Sequence, residues 1–293
     1  MIEAILPLKI RSYGGDSDLE RFSTLLLPSL DRFFLGKTGL KMSLIVPESD
    51  LLTVGSHIQK LARYDIEVLC EDQICPSLKG YSGWHKQQIL KLAAAKFVVS
   101  NYYLVLDADV ILKRPLETRD IFCFGRPIFE RRKASAHWDW WEGSRRILKS
   151  NVRLDADSMV MDVTPEFLHR ETCLDLQQVI ASRNRAEEWD RFLFDTRRVG
   201  WTEYSLYWLY VLERGLDHEL YDWSSARRLY EGIWGQENLL KLSPGHLQRL
   251  FAPDSDAFFL VIQSNLSLEP AYIRDLIRPF LGSPALPPSL QCT

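Results

Sequence analysis

The sequence has few cysteines, no long apolar run and no excess of basic residues, and each of these features excludes a class of protein. The five cysteines include no CxxC pair, so we expect neither a disulfide framework nor a zinc site. This cysteine usage suits a reducing, cytoplasmic setting. No apolar stretch approaches the ~20 residues that a membrane-spanning helix needs. Residues 1–4 do not begin a basic segment followed by an apolar one, so no signal peptide is predicted.

Two further absences narrow the choice of function. The net charge of -3 argues against bulk binding of nucleic acid, which needs a basic surface. No G-x-G-x-x-G follows a predicted strand, which disfavours a dehydrogenase. The pair Gly14-Gly15 is too short for the glycine-rich phosphate loop that a sugar nucleotidyltransferase needs after its first strand.

The pattern along the 293 residues is that of an α/β protein. Strand-like runs at residues 4–10, 42–47 and 66–69 alternate with helical periodicity. This alternation predicts βαβ units and a mixed, mostly parallel sheet flanked by helices. We expect one domain over residues 1–282 with a helical C-terminal elaboration, and a proline-rich tail over 283–293.

The most informative stretch covers residues 102–112, where an apolar run is interrupted by Asp107 and Asp109. Residues two apart in a strand face the same side, so the two carboxylates can converge where the strand ends. Two carboxylates so close together are costly to ionise unless a cation joins them, and hard divalent ions take oxygen ligands. We therefore predict a metal-dependent site at the carboxyl end of this strand. The alternative is a surface turn with two solvated aspartates.

A second Asp-x-Asp pair, Asp155 and Asp157, comes before its apolar run and so lies at the start of a strand. If that strand joins the sheet edge antiparallel, its start lies near the main cleft. Asp155 and Asp157 then become candidates for lining an acceptor site. Thr164 is predicted to cap a following helix that has Pro165 at its first position.

Two predicted helices carry further polar candidates. The helix from Trp84 places Lys86 in its first turn, and Lys86 and Lys91 both precede the strand with Asp107. Either ammonium group could reach a phosphate near the end of that strand, and the alternative is a solvated helix face. Thr202 is predicted to cap a helix in which Glu203 lies on the same side as buried apolar residues. An inward carboxylate near a cleft is a functional candidate, although the helix dipole alone also favours an acid at this position.

Residues 137–142 read His-Trp-Asp-Trp-Trp-Glu and form an unusual aromatic cluster. An exposed cluster of this kind suits a platform for a sugar or a base, whereas a buried one would be the apolar start of a helix. Both interpretations stay open at the level of the sequence.

Taken together, these motifs resemble a nucleotide-sugar glycosyltransferase of the GT-A type. The resemblance rests on residues 103–110, which look like the DxD motif in its usual frame, and on residues 84–92 upstream of it. Residues 159–163 occupy the place of a later strand that lines the acceptor cleft. Residues 201–207 and 263–265 are similar to a bacterial family of uncharacterised glycosyltransferase-like proteins. The whole set spans roughly residues 1–265 and is more specific than any single part.

The resemblance implies a hexosyltransferase-like enzyme that binds a nucleoside diphosphate sugar with Mn²⁺ or Mg²⁺. Asp109 would be the main metal ligand, and Asp107 would contact the ribose or the metal. In many such enzymes a histidine late in the chain completes the metal site, and His246 is the candidate here. His246 does not stand in the motif with Gly and Lys-Pro-Trp that surrounds this histidine in family-8 glycosyltransferases. The remaining residues implied in donor binding hold the base, ribose, phosphate or sugar: Arg11, Ser12, Asp16, Lys86 and Gln87. The acceptor would be a glycan, a lipid-linked glycan or another molecule. A lipid-linked acceptor would bring the protein into peripheral contact with a membrane.

An inverting reaction would need a carboxylate that takes the proton of the acceptor, and the candidates are Glu203, then Asp157 or Asp162. A retaining reaction does not strictly require such a base. One rival function is a haloacid dehalogenase-type phosphatase with Asp107 as nucleophile and Asp109 as acid and base. Against it, about three predicted strands precede the motif, and Ile111 replaces the usual Thr or Val. Another rival is a non-catalytic sugar-binding protein that has kept the fold.

Overall fold

The computed structural model describes residues 2–10, 17–36, 39–59 and 65–282. They group into two compact units, where the sequence predicted a single domain over residues 1–282. The units are built from interleaved segments: Met1–Lys9, Gly36–Asp107 and Thr118–Leu229 in the first, and Ile10–Leu35, Ala108–Glu117 and Tyr230–Thr293 in the second. The predicted tail, residues 283–293, lies outside the described residues.

Strands and helices alternate through much of the described chain. The strands are β1 (Ile2–Pro7), β2 (Leu40–Val46), β3 (Asp65–Cys70), β4 (Tyr102–Val105), β5 (Val110–Leu112), β6 (Phe122–Cys123), β7 (Arg126–Pro127), β8 (Arg131–Lys133), β9 (Met159–Met161), β10 (Glu166–His169), β11 (Arg228–Ile233) and β12 (Ala257–Ile262). The α-helices are α1 (Asp18–Arg21), α2 (Leu27–Phe33), α3 (Leu51–Ile58), α4 (Glu71–Ile74), α5 (Trp84–Ala93), α6 (Thr118–Ile121), α7 (Trp138–Leu148), α8 (Arg170–Asn184), α9 (Trp189–Asp195), α10 (Glu203–Arg214), α11 (Asp217–Leu220), α12 (Pro244–Leu250) and α13 (Pro270–Leu281).

The first unit is organised around a five-stranded sheet in the order β10-β4-β1-β2-β3. Strands β1 to β4 are parallel, and β10 pairs antiparallel with β4 at the edge. All six residues of β1 are buried, as expected for a strand covered on both faces. Helix α5 contacts β1, α3 contacts β3 and α8 contacts β10. These features confirm the predicted α/β class with a mostly parallel sheet flanked by helices.

Helix α10 forms the aromatic core of the first unit. Thr202 caps it through a reciprocal pair of bonds with Ser205, which confirms the predicted start of the helix. The helix packs against α7, α5 and α8. Its fully buried aromatic side chains include Tyr207, Trp208 and Tyr210. These large side chains fix the position of the first turn of α10, which carries Glu203.

The second unit has a three-stranded sheet in the order β11-β12-β5, with β12 and β5 antiparallel. A π-helical segment, Phe22–Leu26, joins α1 to α2 and packs against α13. The C-terminal part of the described chain contains strands β11 and β12 as well as helices α12 and α13. Within the described ranges, no helix has the length and apolar character needed to cross a membrane.

Two sequence expectations about the edge strand were wrong. The strand that follows Asp155 and Asp157 is β9, which pairs with β8 in a separate two-stranded sheet and does not join the main sheet. The antiparallel edge strand is β10 instead. Thr164 and Pro165 precede this strand rather than opening a helix, because Phe167 and Leu168 are buried where β10 pairs with β4.

Candidate active site at the carboxyl end of strand β4

The run of residues 102–112 does not form one strand. Strand β4 ends at Val105, and the amide of Leu106 makes one more bond to the carbonyl of Ile5 at 2.9 Å. Asp107 follows at the carboxyl end of a parallel strand, with 40% of its side chain exposed. This is the edge of an open α/β sheet where ligands bind, so Asp107 lies where the sequence predicted a site.

Lys91 connects Asp107 to the protein interior. Its Nζ lies 3.0 Å from Asp107 Oδ1 and 3.1 Å from Glu203 Oε1, and it donates to Thr164 Oγ1 at 3.2 Å. Burial lowers the pKa of Lys91, but the two carboxylates outweigh burial and raise it above its usual value. Lys91 is therefore a buried ammonium group that holds one exposed and one buried carboxylate.

Glu203 is the first residue of α10 and has no exposed surface. Burial raises its pKa to about 7, although Lys91 acts in the opposite direction. With its amide nitrogen turned toward the carboxylate, the buried Gln88 donates to Glu203 Oε1 at 3.1 Å. The prediction that Glu203 points inward is correct. Its position behind Lys91 removes it from direct contact with an acceptor in this conformation, so it is better described as a partner of Lys91.

A chain of hydroxyl groups extends from Lys91 along the start of α10. The hydroxyl groups of Thr164 and Tyr204 lie 2.6 Å apart, and Lys91 Nζ lies 5.8 Å from the centre of the Tyr204 ring. The sequence predicts Thr164 as a helix cap and carries no local signal for its contact with Lys91. The contact forms because the residues just before β10 lie beside the end of its partner β4.

Asp109 belongs to the second unit, where it is nearly buried. Its Oδ2 accepts a bond from the backbone amide of Ser264 at 3.0 Å, just after β12. His246 lies in α12, where its Nδ1 is 3.0 Å from the side chain of Arg249. In the part of the chain that the structure describes, no group of three His, Cys, Asp or Glu residues is spaced to hold a metal ion. Metal binding thus stays a prediction.

Lys86, predicted to contact the donor, is bound by protein groups in this structure. Its ammonium group is buried and binds Glu71 Oε1 at 2.7 Å, Asp72 Oδ1 at 3.3 Å and the carbonyl of Tyr81 at 3.1 Å. These contacts tie the start of α5 to α4 and leave no donor atom turned to solvent. Gln87, next in the helix, is half-buried. The other residues predicted to bind the donor, Arg11, Ser12 and Asp16, lie outside the described residues.

The two remaining base candidates differ in their surroundings. Asp157 is 82% exposed and pairs with Lys133 at 2.6 Å. Asp162 is almost buried, and its Oδ2 lies 2.9 Å from Nε of Arg132. Asp162 lines a small pocket in the first unit. The side chains and backbone around this pocket come from Arg132, Lys133, His137, Trp140, Trp141, Val160, Met161, Asp162, Val163, Thr202, Tyr204 and Ser205.

The aromatic cluster at residues 137–142 divides between the core and this pocket. Trp141 is buried, while Trp138 is 38% exposed. The rings of His137 and Trp140 stack with centroids 4.0 Å apart and an angle of 15° between their planes. The cluster is therefore in part a helix start and in part a flat surface at the pocket. No local pattern in the sequence indicated that Arg132 would lie beside it.

The chain belongs to a family of unknown function, DUF6492, whose profile matches residues 1–284. No curated protein matches the sequence. Among solved structures, the chain is similar to the apo form of mouse xyloside xylosyltransferase 1, with a TM-score of 0.48, 14% identity, and coverage of 90% of this chain and 99% of that one. It is also similar to the apo form of the bifunctional glycosyltransferase WbbM, with a TM-score of 0.45, 8% identity, and coverage of 89% of this chain and 45% of WbbM. The matched region is thus less than half the length of WbbM.

Proposed function

We propose that the protein is a glycosyltransferase that moves a sugar from a nucleoside diphosphate sugar to a hydroxyl group of an acceptor. The observation that carries the proposal is the arrangement of Lys91, Asp107 and Glu203 at the carboxyl end of β4. One carboxylate is exposed where a ligand can reach it, and a buried ammonium group holds it in place. Such an arrangement orients a binding residue before the ligand arrives, which is how enzymes position reacting groups.

The chemistry of the reaction assigns a role to each group. The bond between the anomeric carbon and the diphosphate oxygen breaks, and its electron pair leaves with the diphosphate. The oxygen of the acceptor hydroxyl forms the new bond to that carbon and gives up its proton. Asp107 contacts the donor, and Lys91 is a positioning residue that fixes the carboxylate of Asp107. Glu203 holds Lys91 from behind, so the positive charge of Lys91 stays beside the site.

The proposal includes a divalent ion at this edge of the sheet. Mg²⁺ and related ions are often held by one or two carboxylates together with phosphate oxygens of the substrate. Asp107, whose side chain is 40% exposed at the carboxyl end of β4, is the residue of the first unit that would hold Mn²⁺ or Mg²⁺ together with phosphate oxygens. When bound, the ion would stabilise the negative charge that develops on the diphosphate.

Of the three carboxylates considered as the base, Asp162 is the one that suits contact with an acceptor. Glu203 has no exposed surface, and Asp157 is paired with Lys133 in an exposed turn. Asp162 faces a pocket, where its carboxylate can accept a hydrogen bond from an acceptor hydroxyl.

The proposal is tested by thermal unfolding with UDP, GDP, ADP or CDP, each with and without Mn²⁺. We expect at least one nucleotide to raise the melting temperature of the wild type by several degrees in the presence of Mn²⁺, because binding to the folded state stabilises it. Asp107→Asn should lose this shift. Asp275→Asn is the matched control, because Asp275 is an exposed carboxylate of α13 that pairs with Arg278. This variant should behave like the wild type.

The same variants distinguish the glycosyltransferase proposal from the phosphatase alternative. If no nucleotide stabilises the protein, and hydrolysis of a general phosphate ester is lost in Asp107→Asn, then Asp107 is a nucleophile and the glycosyltransferase proposal is wrong.

A further inference from the structure

The surface of the first unit around the start of α5 carries exposed apolar side chains that the proposed reaction does not use. Tyr81 is 37% exposed just before α5, and Trp84, the first residue of that helix, is 47% exposed. Val199, shortly before α10, is 38% exposed. Single exposed apolar residues are common in proteins, so these side chains are informative only if they form one patch.

A series of direct contacts joins them. The rings of Tyr81 and Phe194 of α9 meet edge to face, with centroids 4.8 Å apart. The guanidinium group of Arg197 lies 4.6 Å from the centre of the Phe194 ring, and the backbone of Arg197 bonds the imidazole of His85. His85 in turn packs against Trp84, with centroids 4.8 Å apart. The exposed or half-buried side chains along this series form the α5–α9 patch: Tyr81, Trp84, Arg191, Arg197, Arg198 and Val199.

The α5–α9 patch carries positive charge that the described part of the chain does not compensate. Arg191 is paired with Asp195 at 3.0 Å. Arg197 donates from Nη1 to the carbonyl of Phe194 at 2.8 Å, and no carboxylate of the described residues pairs with Arg197 or with Arg198. Two guanidinium groups, adjacent in the chain, are therefore available to an anionic partner, and charge-assisted bonds to phosphate are among the strongest that arginine makes.

This composition favours a layer of lipid headgroups as the partner. Tryptophan and tyrosine concentrate where a membrane meets water, because their rings are apolar and carry one polar group. Arginine adds electrostatic attraction to anionic lipids. A nucleic acid would need many more cations than these two, and the net charge of the chain is -3. The side chains of the patch are also exposed rather than enclosed, whereas small molecules are held in concave pockets.

We propose that the α5–α9 patch docks on an anionic membrane surface, with Tyr81 and Trp84 at the level of the headgroups and with Arg197 and Arg198 bound to lipid phosphates. Trp84 and Lys91 both belong to α5 and are about two helical turns, or about 10 Å, apart along the helix. This separation suits an acceptor that is carried by a lipid. The docking itself does not depend on the proposed transferase function and is measured without any donor.

The test is sedimentation of the full chain with vesicles of phosphatidylcholine alone, or of equimolar phosphatidylcholine and phosphatidylglycerol, at low and at high salt. We expect binding to the anionic vesicles to be about tenfold stronger than to the neutral ones, and to weaken as salt screens the exposed charges. Arg197→Gln/Arg198→Gln should weaken binding to the anionic vesicles by about tenfold or more. Trp84→Ala should weaken it at both salt concentrations, since burial of an aromatic ring in the headgroup layer is not electrostatic.

Matched controls remove similar side chains elsewhere. Arg249→Gln/Arg278→Gln takes two exposed arginines from α12 and α13 and should bind as the wild type does. Phe124→Ala removes an aromatic side chain that is 94% exposed between β6 and β7, beside α11, and should also leave binding unchanged. Arg198→Glu separates charge from folding, because Arg198 has no hydrogen bond or ion pair with a described residue. It should lose vesicle binding and keep the melting temperature of the wild type.

Three outcomes would overturn the inference: binding to anionic vesicles no stronger than to neutral ones, wild-type binding by Arg197→Gln/Arg198→Gln, or tighter binding to a soluble anionic polysaccharide such as dextran sulfate than to the vesicles. The result is separable from the proposed function. Vesicle binding without nucleotide binding would retain the patch and reject the transferase. Nucleotide binding without vesicle binding would reject the docking alone.

Discussion

At the scale of single residues, Lys91 is the group on which the candidate site depends. It is buried between an exposed carboxylate, Asp107, and a buried one, Glu203. Removal of one partner from a buried ion pair leaves an uncompensated charge, which is far more costly than replacing both partners. The three residues therefore act as a unit in folding as well as in the proposed binding of the donor.

We expect Lys91→Met to lower the free energy of unfolding by about 3–5 kcal/mol, because Glu203 is then buried without its ammonium partner. The double variant Lys91→Met/Glu203→Gln should recover a large part of this loss. Urea unfolding of the wild type, both single variants and the double variant provides the comparison in a double-mutant cycle. If the losses of unfolding free energy in the two single variants add up to the loss in the double variant, the two side chains do not interact as the structure indicates.

The pKa of Glu203 leads to a dependence of stability on pH. Because burial raises this pKa from 4.5 to about 7, the folded protein keeps a proton that the unfolded chain releases within that interval. The contribution of Glu203 to stability is thus greatest at low pH and declines as the pH rises from about 4.5 to about 7. Glu203→Gln cannot titrate, so the difference in stability between the two proteins should change across this interval by on the order of 2 kcal/mol.

Urea unfolding of the wild type and Glu203→Gln at several pH values between about 5 and 8 measures this difference. A constant difference across that range would contradict an elevated pKa for Glu203.

At the scale of elements, the contact between α7 and the segment that leads into α10 shapes the pocket. Gly143 of α7 lies against the carbonyl of Gly200, and a Cβ atom placed on Gly143 would come within 1.6 Å of that oxygen. Ser144, next in α7, bonds Ser205 of α10 at 2.7 Å. Only glycine at position 143 allows this approach, so the packing of the two helices depends on it.

Gly143→Ala should therefore destabilise the protein by several kcal/mol, since backbone atoms must move to admit the methyl group. Gly55→Ala in α3 is the matched control, because nothing lies within 4 Å of its added Cβ. That variant should be neutral or more stable by about 0.5–1 kcal/mol, as alanine favours a helix over glycine. Thermal unfolding of both variants gives the comparison. Equal changes in melting temperature would show that Gly143 does not lie in close contact with the carbonyl of Gly200.

Much of the element pattern was predictable where local signals agree with the tertiary structure. The alternation of strands and helices, the cap at Thr202 and the strand before Asp107 are all encoded within a few residues. Strand β10 was not predictable in this way, because Thr164, Pro165 and Glu166 form a good local signal for a helix start. Pairing with β4 overrides that signal. The pocket was also hidden, since Arg132 and Asp162 meet through the pairing of β8 with β9, which no local pattern reveals.

At the scale of the whole molecule, the chain passes from one compact unit to the other within the Asp-Ala-Asp motif. Asp107 is the last residue of its segment in the first unit, and Asp109 lies in the second. The sequence indicated the importance of this motif, because charge interrupts an apolar run there. It did not indicate that the run is two strands in different sheets. That division depends on long-range pairing, with β1 for one part and β12 for the other.

The most direct test of the central claim is the release of nucleoside diphosphate from a panel of nucleotide sugars, with Mn²⁺ present and water as the acceptor. In this reaction the bond between the anomeric carbon and the diphosphate breaks, and water supplies the oxygen that replaces it. We predict release from at least one donor by the wild type and by Asp275→Asn, a decrease of about a hundredfold in Asp107→Asn, and loss of release when the metal is chelated. Release at the wild-type rate by Asp107→Asn would contradict the claim that this carboxylate binds the donor.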